Sequence, residues 1–142
     1  MRRLLLIPFL LAGCGGPSAT SSSPVSAPGA TAPVPPALEG STWKIAVEPV
    51  EAPGEKPFSD RLRFDGERHA ALESFQGRFG AASYNSGEAK DGALPFDFKL
   101  SSPEGGTLSV SGKAALGLVW GTLTWRRADW TLATYRFRGG PD

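Results

Sequence analysis

Few residues in this chain could do chemistry, and their types narrow what that chemistry could be. There is one cysteine, Cys14, and one histidine, His69. A zinc-type centre draws on several His or Cys ligands, so these two do not make one. Ser83, His69 and Asp97 can be assembled on paper into a hydrolase triad, but the Gly-x-Ser-x-Gly nucleophile elbow is absent. Carboxylates gather in two places, Asp60, Asp65 and Glu67 in one and Glu48, Glu51 and Glu55 in the other. Neither group follows a calcium-loop pattern, and a glycosidase pair is defined by separation in space rather than along the chain. Both groups read as solvated loop charge. Arg126, Arg127, Arg136 and Arg138, with Trp125, Trp130 and Tyr135, have the types to grip a carbohydrate or an anion by stacking and charge. The expectation set against this puts the tryptophans in the core and the arginines on the outer face. No catalytic constellation emerges, so the chain is expected to be no enzyme and to need no cofactor or metal.

Before this material comes an N-terminal stretch of a different kind. Arg2 and Arg3 precede an apolar run from Leu4 to Leu11, followed by small residues up to Cys14. A charged start, a short apolar centre and a small-residue cleavage region make a secretory signal. The run is well short of the roughly 20 residues a membrane-spanning helix needs. Leu11-Ala12-Gly13-Cys14 resembles the lipobox of bacterial lipoproteins, where the cysteine is lipidated and the leader is cut away. The resemblance covers residues 1–14. It implies that residues 1–13 are a signal peptide and that the mature chain begins at a lipid-bearing, palmitate-type Cys14 held to a membrane. Gly15 stands where an Asp tends to retain such lipoproteins at the inner membrane, which implies sorting to the outer membrane of the cell envelope.

Cleavage would also remove Arg2 and Arg3. The 15 basic and 14 acidic residues then become 13 and 14. A near-neutral domain has no electrostatic reason to seek nucleic acid, and none is expected as a partner. With Cys14 lipidated, no thiol remains for a disulfide, and the domain must be stable by packing alone.

Residues 14–37 form a linker of Gly, Pro, Ser, Ala and Thr with two valines and no charge or aromatic. Such a segment buries too little apolar surface to offset its ordering entropy, so disorder is expected. Its prolines favour an extended chain, with a reach on the order of 60–70 Å.

The texture changes at Leu38, and residues 38–142 read as one all-β domain. Short alternating runs are separated by Gly, Asp, Asn and Pro, and no window holds a helical period. Eight strands are predicted, over residues 42–48, 58–65, 68–74, 79–84, 94–100, 107–113, 116–125 and 130–138. Alternation is strictest at Leu94, Phe96, Phe98 and Leu100, and Asp65-Gly66 signals a tight hairpin. An up-and-down antiparallel order is the simplest topology, and eight strands can close into a barrel without exposed edges. The alternative is a β-sandwich. Gly40-Ser41-Thr42-Trp43 resembles the Gly and Trp opening of the lipocalin and fatty-acid-binding (calycin) families, though with one residue more between Gly and Trp. That resemblance implies a lipocalin-like small barrel with the Trp plugging one end.

Two functions follow for such a module. It is a structural or protein-interaction module of the envelope, solid inside and meeting a protein partner through its surface. Alternatively, it carries a small apolar ligand in its interior. The residues that decide are Trp43, Phe64, Phe96, Phe98 and Trp120, expected to point inward and either to fill the core or to line a chamber.

Overall fold

A computed structural model describes residues 37–142 of the 142-residue chain. The leader, Cys14 and the linker up to residue 36 lie outside the described residues. The domain is a closed barrel of eight antiparallel strands in sequence order. These are β1 Thr42–Glu51, β2 Phe58–Phe64, β3 His69–Leu72, β4 Ala82–Ser86, β5 Leu94–Ser102, β6 Gly106–Ala115, β7 Leu118–Arg126 and β8 Leu132–Pro141. A single short helix, α1 Glu73–Phe79, follows β3. β8 returns to pair with β1, from Trp43 opposite Pro141 to Glu51 opposite Thr134. Closure removes the edge strands on which an open sheet would aggregate.

Period-two alternation builds the core. Trp43, Ile45 and Val47 on β1 are buried between exposed Lys44, Ala46 and Glu48. Phe96, Phe98 and Leu100 on β5 do the same between Asp97 and Lys99. Among the described residues, the buried core runs from Leu38 to Phe137 and draws on all eight strands and on Phe79 of α1. The apolar side faces in and the charged side faces out, the reverse of a membrane-spanning barrel.

Several local expectations are corrected. The run predicted over residues 68–74 is a strand only to Leu72, after which the chain turns into α1. Pro49 does not end β1. The strand continues through a bulge between Pro49 and Glu51, where a proline without an N–H is tolerated. β7 starts at Leu118 rather than 116, and β8 runs from Leu132 to Pro141, leaving Trp130 in the preceding turn. The hairpin at Asp65-Gly66 exists, but Arg68, not Gly66, takes the positive φ of 60°.

One end of the barrel carries the start of β1, the end of β8 and the β6–β7 turn. There the Asp142 N–H donates to the Thr42 carbonyl at 3.0 Å. The opposite end is closed by α1. Leu72, at the helix start, has no side chain to cap it. Asp60 of β2 supplies the cap instead, accepting the Ser74 N–H at 2.9 Å and the Arg61 N–H at 2.8 Å through Oδ1. An acceptor for orphan N–H groups stabilises a helix start by about 1 kcal/mol. Here it also holds the lid on the barrel.

Candidate functional site

The interior comes first, because the sequence aims its large residues there. Phe64 lies at the centre. Its ring meets Tyr84 and Phe96 edge-on, each at 5.0 Å between centroids, and Phe98 at 6.5 Å. Phe96 meets Phe137 at 6.5 Å. Trp43 is buried near the end where the chain enters, and its indole N–H donates to Ser41 Oγ at 2.8 Å. That bond satisfies the one polar atom of a buried Trp. Four of the five residues singled out from sequence are therefore core, and Phe64 meets both Phe96 and Phe98.

Trp120 is the exception. It is 37 % exposed and lies on the outer face of β7, between inward Val119 and Gly121. Large apolar residues occupy both parities of this strand, Leu118 and Trp120 on one and Val119 and Leu123 on the other. The inward position between Val119 and Leu123 is a glycine, which hides the true register.

A second aromatic group fills the lidded end, and sequence reasoning missed its helical members. Phe75 of α1 meets Phe58 at 6.3 Å and Trp125 at 5.5 Å, while Phe79 meets Trp125 at 6.4 Å. Tyr135 joins through Phe58 at 6.0 Å. The Trp125 indole N–H donates to the Gly105 carbonyl at 2.7 Å, and Arg127 lies over its ring at 4.7 Å. The i, i+4 spacing of Phe75 and Phe79 was the available signal, carried by only two turns of helix.

Polar chemistry inside is confined to a few groups. Asp60 is the buried charged residue, 5 % exposed, and its Oδ2 has no hydrogen-bond partner. Burial pushes the phenols of Tyr84 and Tyr135 above their ordinary range, as expected for groups whose charged form is poorly solvated. His69 sits opposite Ser83 across β3 and β4, but Asp97 lies opposite Asn85 and accepts its side-chain N–H at 3.2 Å. His69 instead turns Nδ1 toward Asp65 Oδ1 at 3.7 Å. The backbone N–H groups of His69 and Glu67 hold the Asp65 carboxyl below the usual range, which is turn chemistry. Among the described residues, no three His, Cys, Asp or Glu side chains stand together as a metal site.

On the outer face, a groove of about 810 Å3 runs across β1, β8 and β7. Trp120 and Leu118 wall one side, Ala46 and Glu48 the other, and Arg136 and Arg138 stand between them. Trp130, 76 % exposed in the β7–β8 turn with φ 68°, lies at the lidded end under Arg126, whose guanidinium is 5.3 Å from the ring. The expected Arg and Trp group is thus divided. Trp125 and Tyr135 belong to the core, Arg126 and Trp130 to the lidded end, and Arg136 and Arg138 to the groove. Comparison with family models, with curated proteins and with solved structures finds no match to this chain.

Proposed function

We propose that this chain is a lipid-anchored lipoprotein of the bacterial cell envelope, whose barrel acts as a structural or protein-interaction module. The observation that carries the second half of this reading is the cluster of rings around Phe64. Edge-to-face rings at such separations pack closely, and they take up interior space that a carried ligand would need. That favours a solid interior over the alternative, transport of a small apolar molecule. A solid barrel works through its surface, and this one places Trp120, Leu118 and Trp130 there.

The first half rests on the lipobox at Leu11-Ala12-Gly13-Cys14 and on the uncharged, proline-rich spacer behind it. Lipid on Cys14 holds the module at a membrane, and the absence of Asp at position 15 directs it outward. In its own host, the wild-type chain should incorporate a metabolic fatty-acid label and fractionate with membranes. Cys14→Ser should lose the label completely. Equal labelling of the two proteins would remove the anchor from this account.

A further inference from the structure

Among the described residues, three of the six exposed large apolar side chains lie where β6 turns into β7, and the other three, Val50, Trp130 and Leu132, lie at the lidded end. Leu116, at the turn, is 67 % exposed, Leu118 is 40 % exposed, and Trp120 follows on the same outer parity. The turn itself is tight, two residues long, with Gly117 at φ 67°. Leu116 stands clear of the barrel while Leu118 and Trp120 are partly covered, and together they form an apolar ridge at one end of it.

Cations surround the ridge. Trp120 lies directly opposite Lys113 on β6 and Arg138 on β8. Arg138 in turn lies opposite Ala46 on β1, and Lys44 lies opposite Gly140. Arg136 stands one outward position further along β8, opposite Glu48. Lys44, Lys113, Arg136 and Arg138 are all exposed, and none of the four forms an ion pair among the described residues. Glu48 is the one acidic residue lining this groove. At the lidded end, by contrast, Arg127 is already paired with Glu55. The face beside the ridge therefore presents unspent positive charge around an exposed Trp and two leucines.

The chain also enters the barrel at this end. Trp43, at the start of β1, lies opposite Pro141, and a Cβ built on Gly140 would lie 3.4 Å from the Gly117 carbonyl oxygen. Twenty-two residues separate Cys14 from the first described residue, Ala37. The tether from Cys14 thus joins the barrel at the end that carries the ridge.

We infer that the β6–β7 turn is a membrane-docking element. Leu116, Leu118 and Trp120 enter the headgroup region of an anionic bilayer, and Lys44, Lys113 and Arg138 contact its lipid phosphates. Trp favours the boundary between hydrocarbon and water, where its ring is buried and its N–H stays wet. Basic side chains beside it gain from the negative surface potential of anionic lipid, and the gain is screened by salt. This inference rests on the envelope reading for the presence of a bilayer, but the contact itself needs no acyl chain.

The test therefore uses residues 15–142, which lack both leader and Cys14 and retain the entire core. Vesicles of phosphatidylcholine are compared with vesicles containing phosphatidylglycerol, some of them carrying brominated acyl chains. Binding should be seen only with phosphatidylglycerol, should weaken with added salt, and should be accompanied by quenching of Trp fluorescence by bromine. Trp120→Phe should remove most of the quenching while leaving binding. Lys113→Ala and Arg138→Ala should each weaken binding about five-fold. Leu116→Ser with Leu118→Ser should abolish it with an unchanged near-ultraviolet circular dichroism spectrum. No binding, equal binding to both vesicle types, or binding that these variants leave untouched would overturn the inference and return the patch to a protein partner. Failure here with Cys14 labelling intact sinks docking alone. Loss of labelling with docking intact sinks only the anchor.

Discussion

Phe64→Ala should cost the barrel about 3–5 kcal/mol, one of the largest losses any single side chain here can produce. The ring contacts Tyr84, Phe96 and Phe98 at once and is 1 % exposed. Its removal loses both the transfer free energy of a buried Phe and the contacts of the rings left facing a void. Those neighbours come from β4 and β5, each fixed by its own ladder, so the site is poorly placed to collapse. A small domain is stable by only about 5–15 kcal/mol, so the loss is a large share of the total. The melting temperature should fall by about 15–20 °C. Trp120→Ala, at an outward position of β7, should change stability by no more than about 1 kcal/mol. Thermal or urea unfolding of the two variants measures both. Equal losses would contradict the assignment of one ring to the interior and the other to the surface.

Gly121→Ala should be nearly as damaging, although it only adds a methyl group. Gly121 on β7 lies opposite Gly112 on β6 and Phe137 on β8. A Cβ at Gly121 would lie 2.6 Å from Gly112 Cα and 2.8 Å from Phe137 Cζ, and would also meet the Ser111 carbonyl oxygen. A Cβ at Gly112 would lie 2.8 Å from Phe96 Cζ and 2.9 Å from Phe137 Cζ. The two glycines are thus the floor on which the Phe96 and Phe137 rings rest. Most of the obstruction at Gly121 is backbone, which cannot rotate out of the way, so overpacking by about 3 kcal/mol is expected. Gly77→Ala makes the contrasting case. Gly77 lies within α1 with nothing within 4 Å of a Cβ, and Ala there should gain about 0.5–1 kcal/mol in helix propensity. Opposite signs in urea unfolding are the expected result.

How much of this was legible beforehand depended on how local each signal was. The barrel and its order were legible because alternation on β1 and β5 is carried by neighbours two apart, and because turn residues fall between the runs. Trp43, Phe96 and Phe98 are buried as that alternation implies, and Phe64 is buried through the like alternation of β2. α1 was not legible, since its cap is the Asp60 carboxylate, fourteen residues away from Ser74 and on another element. A seven-residue helix with Gly77 inside it and Leu72 before it has no start signal of its own. Trp120 was misplaced because the Phe137 ring on the neighbouring strand fills the inward space beside position 121, which leaves room only for a glycine where a large inward residue was expected. The surface patch was illegible for a similar reason. Lys113 faces Trp120 within the β6–β7 hairpin and Arg138 faces it across β8, but Lys44 and Ala46 join that face only once β8 closes on β1.

A filled interior also changes what the surface must do. With rings packed inside and α1 across one end, some large apolar residues are still left on the outside. They lie at the two ends of the barrel, with Leu116, Leu118 and Trp120 where the chain enters and Val50, Trp130 and Leu132 at the lid. A tethered module with one end toward a bilayer would present its lidded end, with Trp130 and Arg126, to the envelope space.

The claim on which this account turns is that the barrel is solid. Native mass spectrometry of the domain purified from its own host tests it directly. The account predicts a single mass equal to the polypeptide alone, unchanged after incubation with a fluorescent fatty-acid probe. A co-purifying small molecule that the probe displaces, and whose retention is lost in Phe64→Ala, would show instead that the rings line a chamber.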